Sequence, residues 1–346
     1  MTEPLRIALI GAGLIGRQHA SRLVSRTDTV LSCIVDPTDA ARAYAGEIGA
    51  PWVPDVGAML DGFRPDGAIV ATPNQMHCAH ALACIGAGVP VLVEKPLTDI
   101  VADGEKIVAA AKAAGVPVLV GHHRRHSATL RRAKELLESG TLGQIVSVNA
   151  MFWLYKPADY FNQTWRTKRG AGPVFLNLIH DIDSLRYLLG DIVRVQARLS
   201  SHQRGFEVED TAAIIVEFKS GALGTISVSD TVVAPWSWEM TSGENKAYPH
   251  TAEPSYFIGG THGSLAMPNM VRWHNRDVRG WWEPLEHEGI VVGDGDPLVN
   301  QLDHWCAVLR GAAAPLVSAE EGLKTLAVID AIQRSAATGE PAVPVR

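Results

Sequence analysis

The first 120 residues alternate short apolar runs with longer segments of helical periodicity. Strands covered on both faces show no polar alternation, so uninterrupted apolar runs are typical of a buried parallel sheet. The runs predict strands at 5–10, 30–35, 67–72, 89–93 and 116–120. The segments between them place apolar residues at helical spacing. This alternation predicts an α/β domain with a doubly wound parallel sheet over residues 1–121.

The pattern changes after residue 121. Residues 192–265 contain long alternating or β-branched segments with no helical segment between them, which predicts mainly antiparallel pairing with one packed face and one free face. Helical periodicity appears at 127–139, 173–189, 297–309 and 319–336. We therefore predict a second, α+β domain over residues 122–346.

Composition narrows the class of protein. The chain has 346 residues, 47% of them hydrophobic and 20% charged, which is normal for a globular protein of about two domains. A net charge of −6 gives no electrostatic reason to expect nucleic acid or anionic membrane as a partner. The chain lacks a long apolar run and a signal-peptide pattern, so we expect a cytoplasmic protein. The four cysteines form no CxxC pair and are expected to be buried free thiols.

The first strand leads directly into a glycine-spaced turn at residues 11–16, GAGLIG. Gly11 permits the tight turn, Gly13 allows close approach of a pyrophosphate, and Gly16 allows the following helix to pack on the strand. The free N–H groups at the start of that helix, around Leu14 and Ile15, favour phosphate. The turn predicts dinucleotide binding.

Asp36 ends the second strand, twenty residues beyond Gly16. A carboxylate here accepts hydrogen bonds from the ribose hydroxyls of NAD and would repel the 2′-phosphate of NADP. No cation follows directly in Asp36–Asp39, so NAD is favoured over NADP. A turn or cap carboxylate is the alternative interpretation.

Three further motifs follow predicted parallel strands, where ligands bind in doubly wound sheets. The first comprises Thr72, Pro73 and Asn74, with His77 one helical turn later. Asn74 is expected to cap the next helix, to meet the nicotinamide ribose, or both.

The second motif, Glu94-Lys95-Pro96, ends an apolar strand. An ammonium at this position would stabilise negative charge on a reacting hydroxyl oxygen. The alternative is a solvated charge at the end of a strand.

The third motif is the run His122-His123-Arg124-Arg125-His126. Neighbouring side chains on an extended segment point to opposite faces, and no carboxylate or cysteine nearby completes a ligand set, so we do not expect a metal. A wall of the nicotinamide or substrate pocket is favoured, with His123 and Arg124 as the better candidates.

The predicted helix 173–189 is mostly apolar, yet it carries a polar stripe at helical spacing. The stripe consists of Asn177, His180, Asp181 and Ser184, with Asp183 slightly to one side. A lone histidine would more often be a satisfied core residue, whereas a histidine within such a stripe is better explained by a site.

The loop 230–256 is rich in aromatic residues and scattered polar groups. Aromatic faces and polar groups suit a sugar ring, and a domain or oligomer interface is an equal alternative.

Taken together, these motifs resemble the Gfo/Idh/MocA family of NAD(P)-dependent oxidoreductases. The matching marks are GAGLIG at 11–16, ATPN at 71–74, EKP at 94–96, Trp165-Arg166, the helix with His180 and Asp183, and GTHGSL at 260–265. The resemblance implies a Rossmann domain followed by an α+β domain with a large, mostly antiparallel sheet. It also implies hydride exchange with a sugar, inositol or related cyclic polyol, and a homodimer or homotetramer.

The resemblance carries over specific roles. Lys95 and His180 are expected to be catalytic, with His180 as the general base, because an imidazole suits proton transfer near neutral pH. The expected cofactor contacts are Gly11, Gly13, Leu14, Ile15, Gly16, Asp36, Thr72, Pro73, Asn74, His77, Glu94, Lys95, Trp165 and Arg166. The expected substrate contacts are Lys95, His123, Arg124, Trp165, Asn177 and His180.

One position departs from the family pattern. Members similar to inositol dehydrogenase carry an aspartate four residues before the helix histidine, and this chain has Leu176 there. The neighbouring Asn177 can replace only the polar contact of that aspartate.

The leading hypothesis is reversible oxidation of a secondary alcohol on a sugar or polyol. One alternative is a glycosidase or lyase that uses transient oxidation by tightly held NAD. The other is a non-catalytic NAD-binding regulatory protein.

Overall fold

The computed structural model describes residues 3–345, which divide into two compact units. The first unit runs to His123 and also contains Leu298–Leu326. The second contains Arg124–Pro297 and Ala327–Val345.

The first unit is built on a six-stranded sheet in which every paired strand is parallel. Its strands are β1 (Leu5–Ile10), β2 (Thr29–Val35), β3 (Trp52–Val53), β4 (Gly67–Val70), β5 (Val91–Val93) and β6 (Val118–Val120). The spatial order β3-β2-β1-β4-β5-β6 places β1 where the order reverses. In such sheets the ligand crevice lies beyond the carboxyl ends of the strands at this point. The predicted doubly wound fold is confirmed.

Helices connect these strands, because parallel strands require crossover connections. They are α1 (Leu14–Val24), α2 (Asp39–Glu47), α3 (Val56–Gly62), α4 (Asn74–Gly86) and α5 (Val101–Ala114). The buried strand residues form one apolar core together with the inner faces of these helices.

The sheet of the second unit has eight strands and is mixed. Its strands are β7 (Ile145–Trp153), β8 (Ile192–Ser200), β9 (Thr211–Phe218), β10 (Leu223–Ser229), β11 (Tyr256–Gly260), β12 (Ser264–Met267), β13 (Val271–Asn275) and β14 (Leu285–Gly289). Among these strands, β7 and β10 pair in parallel and all other neighbours pair antiparallel. The prediction of a mostly antiparallel sheet is confirmed.

Four α-helices lie wholly within the described part of the second unit, and two of them are longer than a single turn or two. They are α6 (Ala128–Glu138), α7 (Gly172–Leu176), α8 (Leu178–Leu189) and α9 (Trp238–Thr241). Alternate strand residues such as Val148 and Ile214 are buried, while neighbours such as Ile215 and Phe257 are 51% and 43% exposed. The sheet therefore has one packed face and one face with accessible apolar side chains.

The chain returns to the first unit through α10 (Pro297–Leu309) and the start of α11 (Ala319–Thr338). Leu302 and Trp305 of α10 belong to the apolar core of that unit. A Cβ on Gly67 would lie 2.6 Å from Leu309, so α10 packs directly against β4. The sequence predicts a second domain that is continuous over 122–346. In the structure, Leu298–Leu326 belong to the first unit instead.

None of the helices in the described part of the chain is long and apolar enough to cross a membrane. The four cysteines are buried and free, as expected. Within residues 3–345, no group of three or more His, Cys, Asp or Glu side chains could hold a metal ion.

Candidate active site

The turn after β1 fits a dinucleotide pyrophosphate. Gly11 has φ of 96°, and a Cβ there would lie 2.7 Å from the backbone of Ala71. A Cβ on Gly16 would lie 2.1 Å from the Gly11 carbonyl oxygen, whereas the space beside Gly13 is open. Only glycine fits at positions 11 and 16, because any side chain there would collide with the backbone. The open space beside Gly13 lies at the start of α1, where free N–H groups attract phosphate.

Asp36 links the end of β2 to this turn. Its Oδ2 accepts a hydrogen bond from the Ala12 amide at 3.0 Å, and its Oδ1 accepts from the Thr38 amide at 2.9 Å and the Thr38 hydroxyl at 2.6 Å. Burial favours the neutral acid, but these hydrogen bonds outweigh it and lower the pKa of Asp36. The carboxylate is therefore charged at neutral pH and half-buried beside the turn.

Lys95 is the second residue after the short strand β5 and is half-buried. The neighbouring Glu94 is buried, and its Oε1 lies 2.7 Å from Nε2 of His19 on α1. Its Oε2 accepts from the Lys95 amide at 3.2 Å. Burial would raise the pKa of Glu94, but the His19 contact and nearby cations lower it. Glu94 thus fixes the turn that carries Lys95, which favours a positioning role over the predicted cofactor contact.

His77 joins the ends of β4 and β5. Its Nδ1 lies 2.8 Å from the Pro96 carbonyl oxygen, and its Nε2 lies 2.9 Å from the Thr72 carbonyl oxygen. The side chain is buried, and burial lowers the pKa of His77 against the opposing effect of the two carbonyl groups. Because both ring nitrogens meet the backbone, the structure favours a positioning role for His77 over direct contact with a cofactor.

Helix α4 begins at Asn74, with Pro73 at the N-cap position. The capping interpretation of Asn74 is therefore wrong, because a proline precedes it where the cap would stand. Contact with the nicotinamide ribose stays a prediction. The Thr72 hydroxyl lies 3.2 Å from Nδ1 of His80 in the same helix.

Residues His123–His126 form a single 3₁₀ turn rather than the extended segment expected. The turn is closed by a hydrogen bond from the Ser127 amide to the Arg124 carbonyl at 2.9 Å. His123 is half-buried, whereas Arg124 and Arg125 are buried.

Arg124 lies in a buried ionic cluster of the second unit. Its Nη1 lies 2.9 Å from Asp181 Oδ1, and its Nη2 lies 2.6 Å from Glu239 Oε1. The Tyr256 hydroxyl donates to the same Asp181 oxygen. Burial raises the pKa of Asp181 to about 6 even though Arg124 opposes the shift. These partners favour a structural role for Arg124 over the predicted substrate contact.

Two aromatic residues of the loop 230–256 are buried beside this cluster. Trp238 is 2% exposed and Tyr256 is fully buried, and their rings lie 5.5 Å apart. Trp238 Nε1 also donates to Glu244 Oε2 at 2.8 Å. These two rings belong to the core of the second unit, so they cannot offer the sugar-stacking faces that the sequence suggested.

Arg125 forms a second buried ion pair. Its Nε and Nη2 lie 2.8 and 2.7 Å from the two carboxylate oxygens of Asp183 on α8. Bidentate pairing is the strong geometry for such groups. The 3₁₀ turn and α8 are therefore joined at two adjacent arginines, by Asp181 and Asp183.

The predicted single helix 173–189 is broken at Asn177, where α7 ends and α8 begins. The Asn177 backbone has φ −111° and ψ −56°, and the His180 amide bonds to its carbonyl at 3.0 Å. Glu209 accepts from the Val174 amide at 2.9 Å and so satisfies the start of α7. The break sets Asn177 apart from the stripe, and His180, 8% exposed, lies in the first turn of α8.

Lys156 is a buried lysine beside Asn177 that the sequence patterns did not single out. It follows β7, is 7% exposed, and its Nζ lies 2.7 Å from Asn177 Oδ1 and 3.6 Å from Asp230 Oδ2. Burial lowers the pKa of Lys156 against the opposing effect of Asp230. A usable signal is present in the sequence, because Lys156 stands in the largely aromatic and apolar run 151–161.

Trp165 and Arg166 lie on a short 3₁₀ turn, Thr164–Thr167. Trp165 is 54% exposed, so its ring is accessible for stacking. The Arg166 guanidinium lies 4.0 Å from the centre of the Tyr160 ring and donates to the Tyr160 carbonyl at 2.7 Å. Their predicted contacts with cofactor and substrate stay predictions.

Known proteins share both units of this chain. Residues 5–122 match the oxidoreductase family with an NAD-binding Rossmann fold, and residues 130–266 match the GFO/IDH/MocA C-terminal domain. Inositol 2-dehydrogenase 4 of Saccharopolyspora erythraea is 31% identical over 94% of this chain and 92% of its own. The chain belongs to the Gfo/Idh/MocA family. It is an enzyme of the NAD(P)-dependent oxidoreductase class.

Other relatives in this family span nearly the whole chain. The 1,5-anhydro-D-fructose reductase of Ensifer adhaerens is 27% identical over 97% of this chain and 98% of its own. The WlbA dehydrogenase of Bordetella pertussis, solved with NADH and UDP-GlcNAcA, covers 99% of both chains with 27% identity and a TM-score of 0.80.

Proposed function

We propose that this enzyme reversibly oxidises a secondary alcohol of a sugar, inositol or related cyclic polyol. The observation that carries the proposal is Lys95, held half-buried at the carboxyl end of β5 in an NAD(P)-binding sheet. Ligands of such sheets bind at these strand ends. The names of the relatives support the substrate class, because they include an anhydrosugar reductase and inositol dehydrogenases.

The chain's own residues supply position and charge. Lys95 holds the substrate oxygen and stabilises the negative charge that develops on it, which is the effect of a fixed cation at a forming alkoxide. His180 removes the hydroxyl proton in the oxidative direction and returns it in reduction. A nicotinamide cofactor, when bound, would supply the acceptor or donor of the hydride. Glu94 connects the Lys95 turn to α1, and His77 connects it to the end of β4.

We propose NAD, rather than NADP, as the preferred cofactor. The support is the charged Asp36 carboxylate at the end of β2, which attracts ribose hydroxyls and repels a 2′-phosphate. The glycine turn would hold the pyrophosphate, and Trp165 and Arg166 would help to orient the nicotinamide and substrate.

Asp36→Asn is expected to shift cofactor preference towards NADP by about tenfold or more, because it removes one charge and a charge-assisted hydrogen bond. The ratio of kcat/KM with NADP to that with NAD measures the shift. Asp39→Ala, an exposed change on α2, is the matched control. An unchanged ratio in Asp36→Asn would contradict the assignment.

Cofactor reduction tests the proposed function itself. Purified protein is mixed with NAD or NADP and a panel of inositols, aldoses, uronic acids and anhydrosugars, and absorbance at 340 nm is recorded. Net reduction with one chemical group supports the proposal. Substrate conversion without net reduction would favour the redox-assisted glycosidase or lyase, and tight NAD binding without any conversion would favour a regulatory protein.

We also propose a homodimer or homotetramer. The support is the open face of the second sheet, where Ile215, Leu223 and Phe257 are 51%, 55% and 43% exposed. Accessible apolar patches of this kind mark association surfaces. Sedimentation velocity is expected to show an oligomer that Ile215→Glu weakens, and a wild-type monomer at micromolar concentration would contradict it.

A further inference from the structure

Lys156 and Asn177 meet beyond the carboxyl end of β7 in the second sheet. Strands β7 and β10 are parallel, so Lys156 after β7 and Asp230 after β10 lie at the same end. The Lys156 ammonium contacts Asn177 Oδ1 at 2.7 Å and Asp230 Oδ2 at 3.6 Å. Neither the sequence pattern nor the proposed mechanism gives this buried lysine a role.

The contact fixes the orientation of the Asn177 amide. A lysine ammonium has three donors and no acceptor, so the amide atom facing it must be the oxygen. The Nδ2 group, with its two donors, therefore points away from Lys156. Asn177 is half-buried at the α7–α8 break, three residues before His180, so its amide nitrogen is the part of the side chain available to a ligand.

The surroundings hold Lys156 in this arrangement. Arg204 Nε lies 2.8 Å from Asp230 Oδ1, and Arg204 Nη2 donates to the Lys156 carbonyl at 2.8 Å. The Lys156 Nζ also lies 5.0 Å from the centre of the Tyr160 ring. Asp230 is therefore shared between two cations, and the Lys156 segment is anchored through both its backbone and its side chain.

We propose that Lys156 and Asn177 form a specificity-determining pair that presents N–H donors to an acceptor oxygen of the substrate. The pair favours a carboxylate-bearing substrate, a sugar acid, over the neutral sugar of the same configuration. A carboxylate only accepts hydrogen bonds, and it is attracted by a fixed donor beside an ammonium. The adjacent Leu176 adds no negative charge. This inference rests on the proposed function and narrows its substrate class.

Matched substrate pairs test the inference. We define acid preference as kcat/KM for a uronate divided by that for the corresponding aldose, measured with D-glucuronate and D-glucose and with the galactose pair. Wild type is expected to prefer the acid. Asn177→Asp is expected to lower acid preference about tenfold or more, mainly through KM for the uronate, because a carboxylate replaces a donor to a charged group.

Lys156→Met tests the orientation of the Asn177 amide without placing a charge at position 177. Without the lysine, the Asn177 amide can rotate and present its oxygen, so acid preference is expected to fall about three- to tenfold. Lys219→Met, at an exposed turn between β9 and β10, is the matched control. Thermal melting monitored by circular dichroism checks that each variant is folded.

Binding provides a readout that does not depend on turnover. Calorimetric titration of D-glucuronate into the protein with NADH is expected to show weaker binding to Asn177→Asp than to wild type. Equal affinity, or an acid preference unchanged by both substitutions while sugars are still oxidised, would overturn the inference and leave the proposed function intact. Absence of turnover with every sugar and sugar acid would instead contradict the proposed function.

Discussion

Lys95→Ala is expected to lower kcat about 1,000-fold, which is the scale of removing one fixed group that stabilises a developing oxyanion. Lys95 stands at the end of β5, and its turn is held by Glu94 and His77 from two directions. Shortening the side chain removes the ammonium but leaves these contacts and the glycine turn in place. Steady-state kinetics in both reaction directions measure the loss.

The cofactor affinity of Lys95→Ala separates catalysis from folding. Quenching of tryptophan fluorescence by NADH is expected to give nearly the wild-type dissociation constant, because Asp36 and the glycine turn are unchanged. Lys112→Ala, an exposed change in α5, serves as the control for removing a lysine. A loss of turnover below tenfold would remove Lys95 from the mechanism.

His180→Ala is expected to lower kcat about 100- to 10,000-fold, the usual contribution of a positioned general base. His180 is 8% exposed in the first turn of α8, and that helix is fixed by the Asp181 and Asp183 ion pairs. The histidine is therefore held on a rigid element. Rates of alcohol oxidation over a range of pH test the role directly.

The shape of the pH profile distinguishes a base from a structural residue. Wild-type kcat/KM is expected to rise with pH as the base loses its proton, and this limb is expected to vanish in His180→Ala. His202→Ala, an exposed change after β8, is the matched control. A variant that is slow but keeps the wild-type limb would show that another group takes the proton.

Much of the fold could be predicted from sequence because its signals are local. The uninterrupted apolar strands and the glycine turn at Gly11 follow from burial on both faces and from backbone conformation, and both are visible in short segments. The return of α10 to the first unit could not be predicted, because Trp305 packs against residues far away in sequence. Amphipathic spacing shows that a helix is buried without showing against which core.

The candidate site was harder to predict, because the type of a residue does not reveal which side chain or backbone group it contacts. Glu94 and His77 follow strands in the expected way, yet their side chains turn to His19 and to backbone carbonyls. Arg124 similarly meets Glu239, which is distant in sequence. Each of these pairings satisfies a buried charge or donor that a chain pattern cannot display.

The break at Asn177 illustrates the same limit at the level of secondary structure. The apolar periodicity continues through residues 173–189, so the sequence predicts one helix. The groups that contact the start of α7 and Asn177 are Glu209 and Lys156, and both lie outside the helical segment. The same contact places Lys156 beside Asn177, which the sequence predicts as a substrate contact.

Transfer of a deuterium label is the most direct measurement of the central claim. The best substrate of the panel is prepared with deuterium on the carbon of the reacting alcohol, and the reduced cofactor is analysed by mass spectrometry. We predict one deuterium in the cofactor for each molecule oxidised. Product that retains the label, or loses it to water while the cofactor stays oxidised, would contradict the proposal that this enzyme oxidises an alcohol of a sugar or polyol.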